Sequence, residues 1–446
     1  MAVSSALPAN MGIEVDQAFG PSPPQTPATQ EASLSVSDHR YSHPWRARLN
    51  LCAIYFTMFL AGWNDGSSGP LIPRMQTVYN VGFLLVSLTF VVACVGFISG
   101  ALFNLNWGVK IGFGRMIVLG LYFTTCALCQ VVAYSIQAPA PPFPLFILSF
   151  GINGFGNAVQ NAQTNTYVAS LGKNSELYMG MLHASYGAGA LSSPLIATQF
   201  VSSSHWSFHY LVSLGLAILN ITILATRFKF RNLEDCLRLV GEQPQEDASA
   251  TSERSNFGQV LSLRAVHLLA FFTLVYVGVE VTIGGWITTY MIDVRGGGHS
   301  AGYVSSGFFA GLMIGRVALL WLNKALGEYY VLYLYTALII GLELVVWLVP
   351  SLIGGAIAVA LVGMFLGPVY PILMNRTARL VPRRLLSGSI GWIAGFGQAG
   401  SAMIPFITGA IASKAGIKAL QPLIISLMAC FPLLWALVPR SPRRID

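Results

Sequence analysis

The sequence predicts an all-α membrane protein with twelve transmembrane helices in two pseudo-symmetric six-helix bundles. Its composition excludes an ordinary soluble domain, because 54% of the 446 residues are hydrophobic and only 9% are charged, whereas soluble domains carry about 25% charged residues. Apolar runs long enough to cross a bilayer recur along the chain. One polar segment divides these runs six and six, and the two sets carry similar glycine patterns.

The apolar runs lie between two polar tails. Residues 1–47 are rich in Ser, Pro, Ala and Thr, which cannot bury a core, so they predict a disordered cytosolic tail. We expect an N-terminal bundle at 48–226, a cytosolic loop at 227–263, a C-terminal bundle at 264–438 and a cytosolic tail at 439–446. The spans are predicted near 48–69, 83–105, 113–135, 143–169, 178–200, 208–226, 264–291, 299–322, 329–349, 351–375, 386–412 and 419–438.

The positive charges predict the orientation. All but four of the 25 Lys and Arg residues, namely Arg74, Arg295, Lys414 and Lys418, lie in the tails, in loops after even spans or at the matching span ends. The positive-inside rule then places both termini and the central loop in the cytosol. The basic residues separate apolar spans, so they indicate a lipid bilayer and no nucleic-acid partner. The plasma membrane is the expected location, with a vacuolar or other internal membrane as the alternative.

The two sets of spans carry a repeated pattern. Span one has Gly62 and Gly69 with a polar residue two positions after the first glycine, and span seven has Gly278 and Gly285 in the same arrangement. Two helical halves related in this way predict a transporter whose solute site lies near the midplane between them.

Span four contains a series of amide side chains, which we name the amide stripe. A spacing of four residues keeps these side chains on one slowly drifting helix face, and a carboxamide facing hydrocarbon costs a few kcal/mol. The pattern favours the wall of a hydrated solute cavity over hydrogen bonding between packed helices. The stripe comprises Asn153, Asn157, Asn161 and Asn165, flanked by Gln160 and Thr164.

Three titratable residues inside the spans are candidates for proton coupling. An acid sealed from water can hold a proton at physiological pH, and Glu280 is preferred because Thr282 and Trp286 follow on nearby helix faces. Asp65 precedes a Gly-Ser-Ser-Gly-Pro segment, so a helix-breaking turn or cap is an equal alternative for it. His183 could relay a proton, bind solute or serve only in packing.

Polar and aromatic residues of several spans are candidates for solute binding. Trp286, Tyr370 and Trp392 could stack on a sugar ring, with ordinary packing as the alternative. The solute-binding candidates are Asn64, Asn157, Gln160, Asn161, Thr164, Asn165, Tyr186, Thr282, Trp286, Tyr370, Trp392 and Gln398.

A set of motifs spread over about residues 48–438 resembles the major facilitator superfamily. More closely, it resembles a fungal branch akin to the bypass-of-stop-codon-6 type, which is related to fucose-permease-like sugar:proton symporters. The resemblance implies transport of a small polar solute by alternating access, with a sugar as the leading expectation. The motifs are 62–73 (GWNDGSSGPLIP), 160–165 (QNAQTN), 183–190 (HASYGAGA), 284–286 (GGW), 305–307 (SSG), 315–316 (GR), 367–371 (GPVYP) and 396–401 (FGQAGS).

The family's cytosolic gating-loop motif is only partly present. Lys110, Gly112 and Arg115 match its basic and glycine positions, but Val109 occupies the place of the usual acid. Its counterpart in the second half, at Arg316 and Lys324, is also partial.

The sequence departs from the related sugar symporters in a second place. Those proteins use a span-four carboxylate where this sequence has Asn161. Proton coupling would therefore use Glu280, Asp65 or His183.

These observations favour a secondary active transporter over an enzyme, with a small solute and protons as partners.

 Catalysis would need a nucleophile or acid–base constellation, whereas the seven histidines are scattered, and no nucleotide-binding GxxxxGK[ST] motif occurs. No cofactor or metal is expected, since the Cys126–Cys129 pair lacks a second pair to complete a zinc site. The alternatives are an exporter of metabolites or drugs, a uniporter or a transport-dead receptor of the same fold, and a monomer is expected.

Overall fold

A computed structural model describes the chain in six stretches. They cover residues 44–111, 121–171, 175–229, 235–237, 258–382 and 385–440. All regular secondary structure in these stretches is helical, which confirms the predicted all-α class.

Each long helix overlaps one predicted span. Short helical segments precede α2 at Phe83–Val86, continue α8 at Leu320–Leu326 and continue α10 at Val369–Leu380. The long helices are α1 (Pro44–Tyr79), α2 (Leu88–Ile111), α3 (Leu121–Gln137), α4 (Phe143–Ala169), α5 (Ser175–Val201), α6 (His209–Phe228), α7 (Arg264–Asp293), α8 (Gly302–Ala318), α9 (Glu328–Leu348), α10 (Leu352–Leu366), α11 (Leu386–Ala415) and α12 (Leu420–Leu437).

Length and apolar composition alone identify fewer membrane spans than the sequence predicts. In the described residues seven helices pass this test, or eight if α8 and its continuation, bent by 53°, form one span. Helices α1, α4 and α5 are outside this set, and they carry Asn64, the amide stripe and Tyr186 of the predicted solute site. The number of twelve spans therefore stays a prediction.

Helix α1 is longer than the sequence predicts. Its 36 residues run without a break through Asp65 and include Pro70 and Pro73. A buried proline costs a helix one backbone hydrogen bond, but neighbouring helices make this tolerable inside a membrane protein. The alternative of a helix-breaking turn or cap at Asp65 is therefore wrong, because the residue lies within a continuous helix.

Glycines bring the helices of each half into backbone contact. A Cβ on Gly311 or Gly315 of α8 would clash with the backbone of α10, and one on Gly363 of α10 would clash with the backbone of α8. Gly100 and Gly154 make the same arrangement between α2 and α4. Small residues allow this close approach where lipid supplies no hydrophobic driving force between helices. The pairs α2–α4 and α8–α10 thus correspond between the two halves.

The two halves meet through α1 with α7, α5 with α8, and α2 with α11. We call the end of the molecule that bears the loops after odd-numbered helices the outer end. There Gly69 of α1 leaves no room for a side chain against the Gly284 carbonyl of α7, and Gly302 of α8 lies equally close to α5. The Gln199 side chain also donates a hydrogen bond to the Tyr303 hydroxyl. These contacts close the two halves against each other at the outer end.

We expect Gly311→Ala to destabilise the protein, because the added methyl group would meet the α10 backbone and overpacking costs about 1–3 kcal/mol. Thermal unfolding of the purified protein in detergent would measure the loss. Gly341→Ala in α9 is the matched control, since nothing lies within 4 Å of a Cβ at that position. Equal melting temperatures for the two variants would contradict the packing account.

Candidate functional site

Asp65 of α1 lies at the centre of the first half. Its side chain is solvent-exposed although it occupies the middle of a long packed helix, so it faces an internal space. The Tyr186 hydroxyl of α5 donates to Oδ2 at 2.6 Å, and Nδ2 of Asn64 donates to Oδ1 at 3.2 Å. The carboxyl group is therefore held by two neutral donors.

Asn64 is itself oriented by two further helices. Its Oδ1 accepts hydrogen bonds from Nδ2 of Asn153 in α4 and, at 3.5 Å, from the Tyr134 hydroxyl of α3. Four helices, α1, α3, α4 and α5, thus fix the direction of the Asp65 carboxyl group. Sequence reasoning missed Tyr134, because a lone tyrosine in an apolar span carries no signal of its partner.

Glu280 of α7 faces Arg316 of α8 in the second half. Nη2 of Arg316 lies 4.0 Å from Oε1 of Glu280, and 22% and 15% of the two side chains are exposed. The sequence predicted a gating-loop role for Arg316, and the structure places its side chain inside the protein beside an acid. Tyr276 and Tyr370 lie within electrostatic range of Glu280.

The charged groups of the two halves lie within electrostatic range of each other. Asp65 interacts electrostatically with Glu280, and Tyr186 interacts with Glu280 and Arg316. His183, one helical turn before Tyr186, is half-buried and interacts with Arg316. We call Asp65, Glu280 and Arg316 the central charge cluster. It holds two carboxyl groups and one guanidinium.

The amide stripe divides into two sets. Asn153, Asn157, Gln160 and Thr164 are buried, and Nε2 of Gln160 donates to Oε1 of the buried Gln130 at 3.2 Å. This is the interhelical bonding that the sequence left as the alternative. Asn161 and Asn165 are half-exposed. Nδ2 of Asn165 donates to the backbone and side-chain oxygens of Asn161.

The candidates of the second half also occupy two environments. Thr282 and Trp286 are fully buried, and they donate to the backbone oxygens of Gly278 and Pro405. The Trp286 ring also contacts Phe83 and Phe90 of the other half, so it belongs to the closed contact between the halves in this conformation.

Three further candidates of this half are half-buried. Tyr370 lies beside Tyr276, with ring centroids 6.4 Å apart. Trp392 packs on Phe396 at 5.1 Å. Gln398 accepts a hydrogen bond from Sγ of Cys94 through its backbone oxygen at 3.4 Å.

The gating-loop candidates are described only in part. Gly112 and Arg115 lie outside the described residues, and only the backbone of Lys110 is described. Lys324 is exposed on the short helix after α8.

Two helical halves that meet around polar and charged side chains at mid-depth define the architecture of a secondary transporter. The sequence model of the Major Facilitator Superfamily matches residues 54–405, and the chain belongs to this family. It is thus a multi-pass membrane transporter and not an enzyme.

Individual relatives agree with this membership. Bypass of stop codon protein 6 of Saccharomyces cerevisiae is 26% identical over 417 residues, covering 87% of this chain and 82% of that protein. A glucose/mannose transporter of Bacillus subtilis is 22% identical over 358 residues, covering 80% of this chain and 86% of that protein. The crystal structure of a D-xylose-proton symporter shares the fold, with a TM-score of 0.70 at 10% identity, covering 88% of this chain and 98% of that one.

We expect the two sets of the amide stripe to respond differently to mutation. Gln160→Ala leaves the buried Gln130 oxygen without its donor, which costs about 1–3 kcal/mol of unfolding free energy, and should leave the solute affinity of the folded protein unchanged. Asn161→Ala should weaken solute binding with little loss of stability. Thermal unfolding and solute binding, measured on both purified variants, would test this difference. The opposite pattern would contradict this division.

Proposed function

We propose that this transporter carries a small neutral polyhydroxylated solute, such as a sugar, together with protons by alternating access. The observation that carries the proposal is the exposed Asp65 carboxyl group, which is held by Tyr186 and Asn64 and lies within electrostatic range of Glu280, the partner of Arg316. The similarity to a glucose/mannose transporter supports the solute class.

The charge of the site favours a neutral solute. Two carboxyl groups against one guanidinium leave a net charge of −1 when both acids are ionised, and an anionic solute would then be repelled. Sugar hydroxyl groups can donate to Asp65 and accept from Arg316, because each hydroxyl offers both a donor and lone pairs. Asn161 and the ring of Tyr370 would add an amide and an apolar surface.

The same imbalance supplies a reason for proton coupling. Glu280 has a cationic partner, whereas among the described residues Asp65 has only neutral donors. Sealing an ionised, unpaired carboxyl group from water is costly, so closure of the halves around the site favours protonated Asp65. His183 would exchange protons between this acid and the solvent. A proton would thus accompany each solute across the membrane.

The two predicted bundles are the parts of the protein that would move in this cycle. Residues 48–226 and 264–438 would rock about the central charge cluster, joined by the 227–263 loop. Contacts at the outer end are closed in this conformation, so the solute would leave toward the other end. With both termini cytosolic at the plasma membrane, the monomer would then take up solute from outside the cell.

We expect Asp65→Asn and Glu280→Gln to abolish solute accumulation driven by a pH gradient. Asp65→Asn removes the proton carrier, and Glu280→Gln frees Arg316 to pair with Asp65 and hold it ionised. Uptake into proteoliposomes with and without an inward proton gradient would measure the effect, and exchange of labelled for unlabelled solute would show whether binding persists.

Glu343→Gln is the matched control, because Glu343 is a fully buried acid of α9 outside the central charge cluster. Gradient-driven uptake by both site variants at the wild-type rate would overturn the proton-coupling proposal. Solute exchange by the wild type at a rate that does not depend on the proton gradient would favour a uniporter instead.

A further inference from the structure

A second charged cluster lies far from the solute site, at the end of the molecule opposite the outer end. It gathers where α9 begins, where α12 ends and where the Val369–Leu380 helix continues α10. Tyr329 is its centre. The guanidinium carbon of Arg440 lies 4.7 Å from the centroid of the Tyr329 ring, and that of Arg376 lies 5.8 Å from it.

The aromatic packing fixes the position of both guanidinium groups. The Tyr329 ring stacks on Trp435 with centroids 5.8 Å apart, and its hydroxyl lies 3.2 Å from that of Tyr333. Cation–π contacts hold the guanidinium groups over the ring, and Arg440 also donates a hydrogen bond to Tyr329. Arg376 also donates to the Pro439 carbonyl, but its buried Nε has no partner in the described structure.

Glu328, the acid of this cluster, already has two partners. Glu328 lies 3.0 Å from Arg379 and accepts a hydrogen bond from Asn375 at 2.9 Å. Among the described residues no carboxylate lies within 4.0 Å of Arg376 or Arg440. The cluster therefore keeps a net charge of +2, from three arginines and one glutamate. The N–H donors that Arg376 and Arg440 do not use within the cluster match the geometry of phosphate oxygens.

Neighbouring surfaces place this positive charge at the level of lipid headgroups. Leu433 and Leu437 of α12 are 68% and 56% exposed just before Arg440, so they would lie along acyl chains. Trp321 and Tyr330 are 66% and 64% exposed, as expected of aromatic residues at a membrane interface. A soluble phosphate would gain nothing from these apolar side chains.

We propose that Arg376 and Arg440, held on the Tyr329 ring, bind the phosphate of an anionic phospholipid. The lipid's acyl chain would pack on the exposed leucines of α12. Basic pockets on the cytoplasmic side of membrane proteins are suited to such headgroups, and the positive-inside rule assigns this end to the cytosol. The bound lipid would tie α9, α10 and α12 together at their membrane surface.

Native mass spectrometry of the purified full-length protein tests the proposal, with phosphatidylserine and phosphatidylcholine as probes. The wild type should bind phosphatidylserine in preference. Arg376→Gln/Arg440→Gln should lower the affinity for phosphatidylserine about 25-fold, from about fivefold per basic residue. Arg440→Gln alone should lower it about fivefold, and this exposed position keeps the test valid if the double variant fails to fold. The control variant Lys414→Gln/Lys418→Gln, at the outer end, should bind phosphatidylserine with the wild-type affinity.

Three results would overturn the assignment. The first is equal phosphatidylserine affinity in Arg440→Gln and the wild type. The second is equal binding of the two lipids by the wild type. The third is inorganic phosphate that displaces phosphatidylserine at millimolar concentration, since this would identify a site for soluble phosphate.

Discussion

The imbalance of charge between the two halves is the constraint on which the rest of the structure depends. Among the described residues Asp65 faces an internal space with no cation paired to it, whereas the Arg316 guanidinium lies beside Glu280. Charges at membrane depth are costly unless they are paired or hydrated. The site therefore requires water, a proton or a polar solute between the halves. Each time the two halves close around the site, the group that neutralises Asp65 must change.

The helix packing places this acid. A Cβ on Gly62 would clash with the Tyr186 carbonyl, and one on Gly66 would clash with the Ala190 carbonyl. Helices α1 and α5 are therefore close enough for the Tyr186 hydroxyl to reach Asp65. In the second half Gly278 faces Gly400 and Ile404 of α11. The repeated glycine pattern thus corresponds to the same contact between α1 and α5 and between α7 and α11, two residues before each polar position.

Sequence patterns predicted the helices and the polar positions, but not how those positions pair. Apolar runs indicated where the long helices lie, and glycine spacing indicated two related halves. Periodicity placed the amides on one face of α4, yet it could not show that Gln160 bonds to Gln130 while Asn161 stays half-exposed. Arg316 is 36 positions after Glu280, so no local pattern pairs them. The continuation of α1 past Pro70 was missed because the packing of α5 and α7 overrides the local turn signal.

The most direct test of the account is the electrical current evoked by a neutral sugar in proteoliposomes that hold the wild-type protein. A panel of hexoses and polyols, applied with and without a pH gradient, would cover the proposed solutes. Proton symport of a neutral solute predicts an inward positive current that grows when the outside is made more acidic. Sugar exchange without any current, at a rate that does not depend on the gradient, would contradict it.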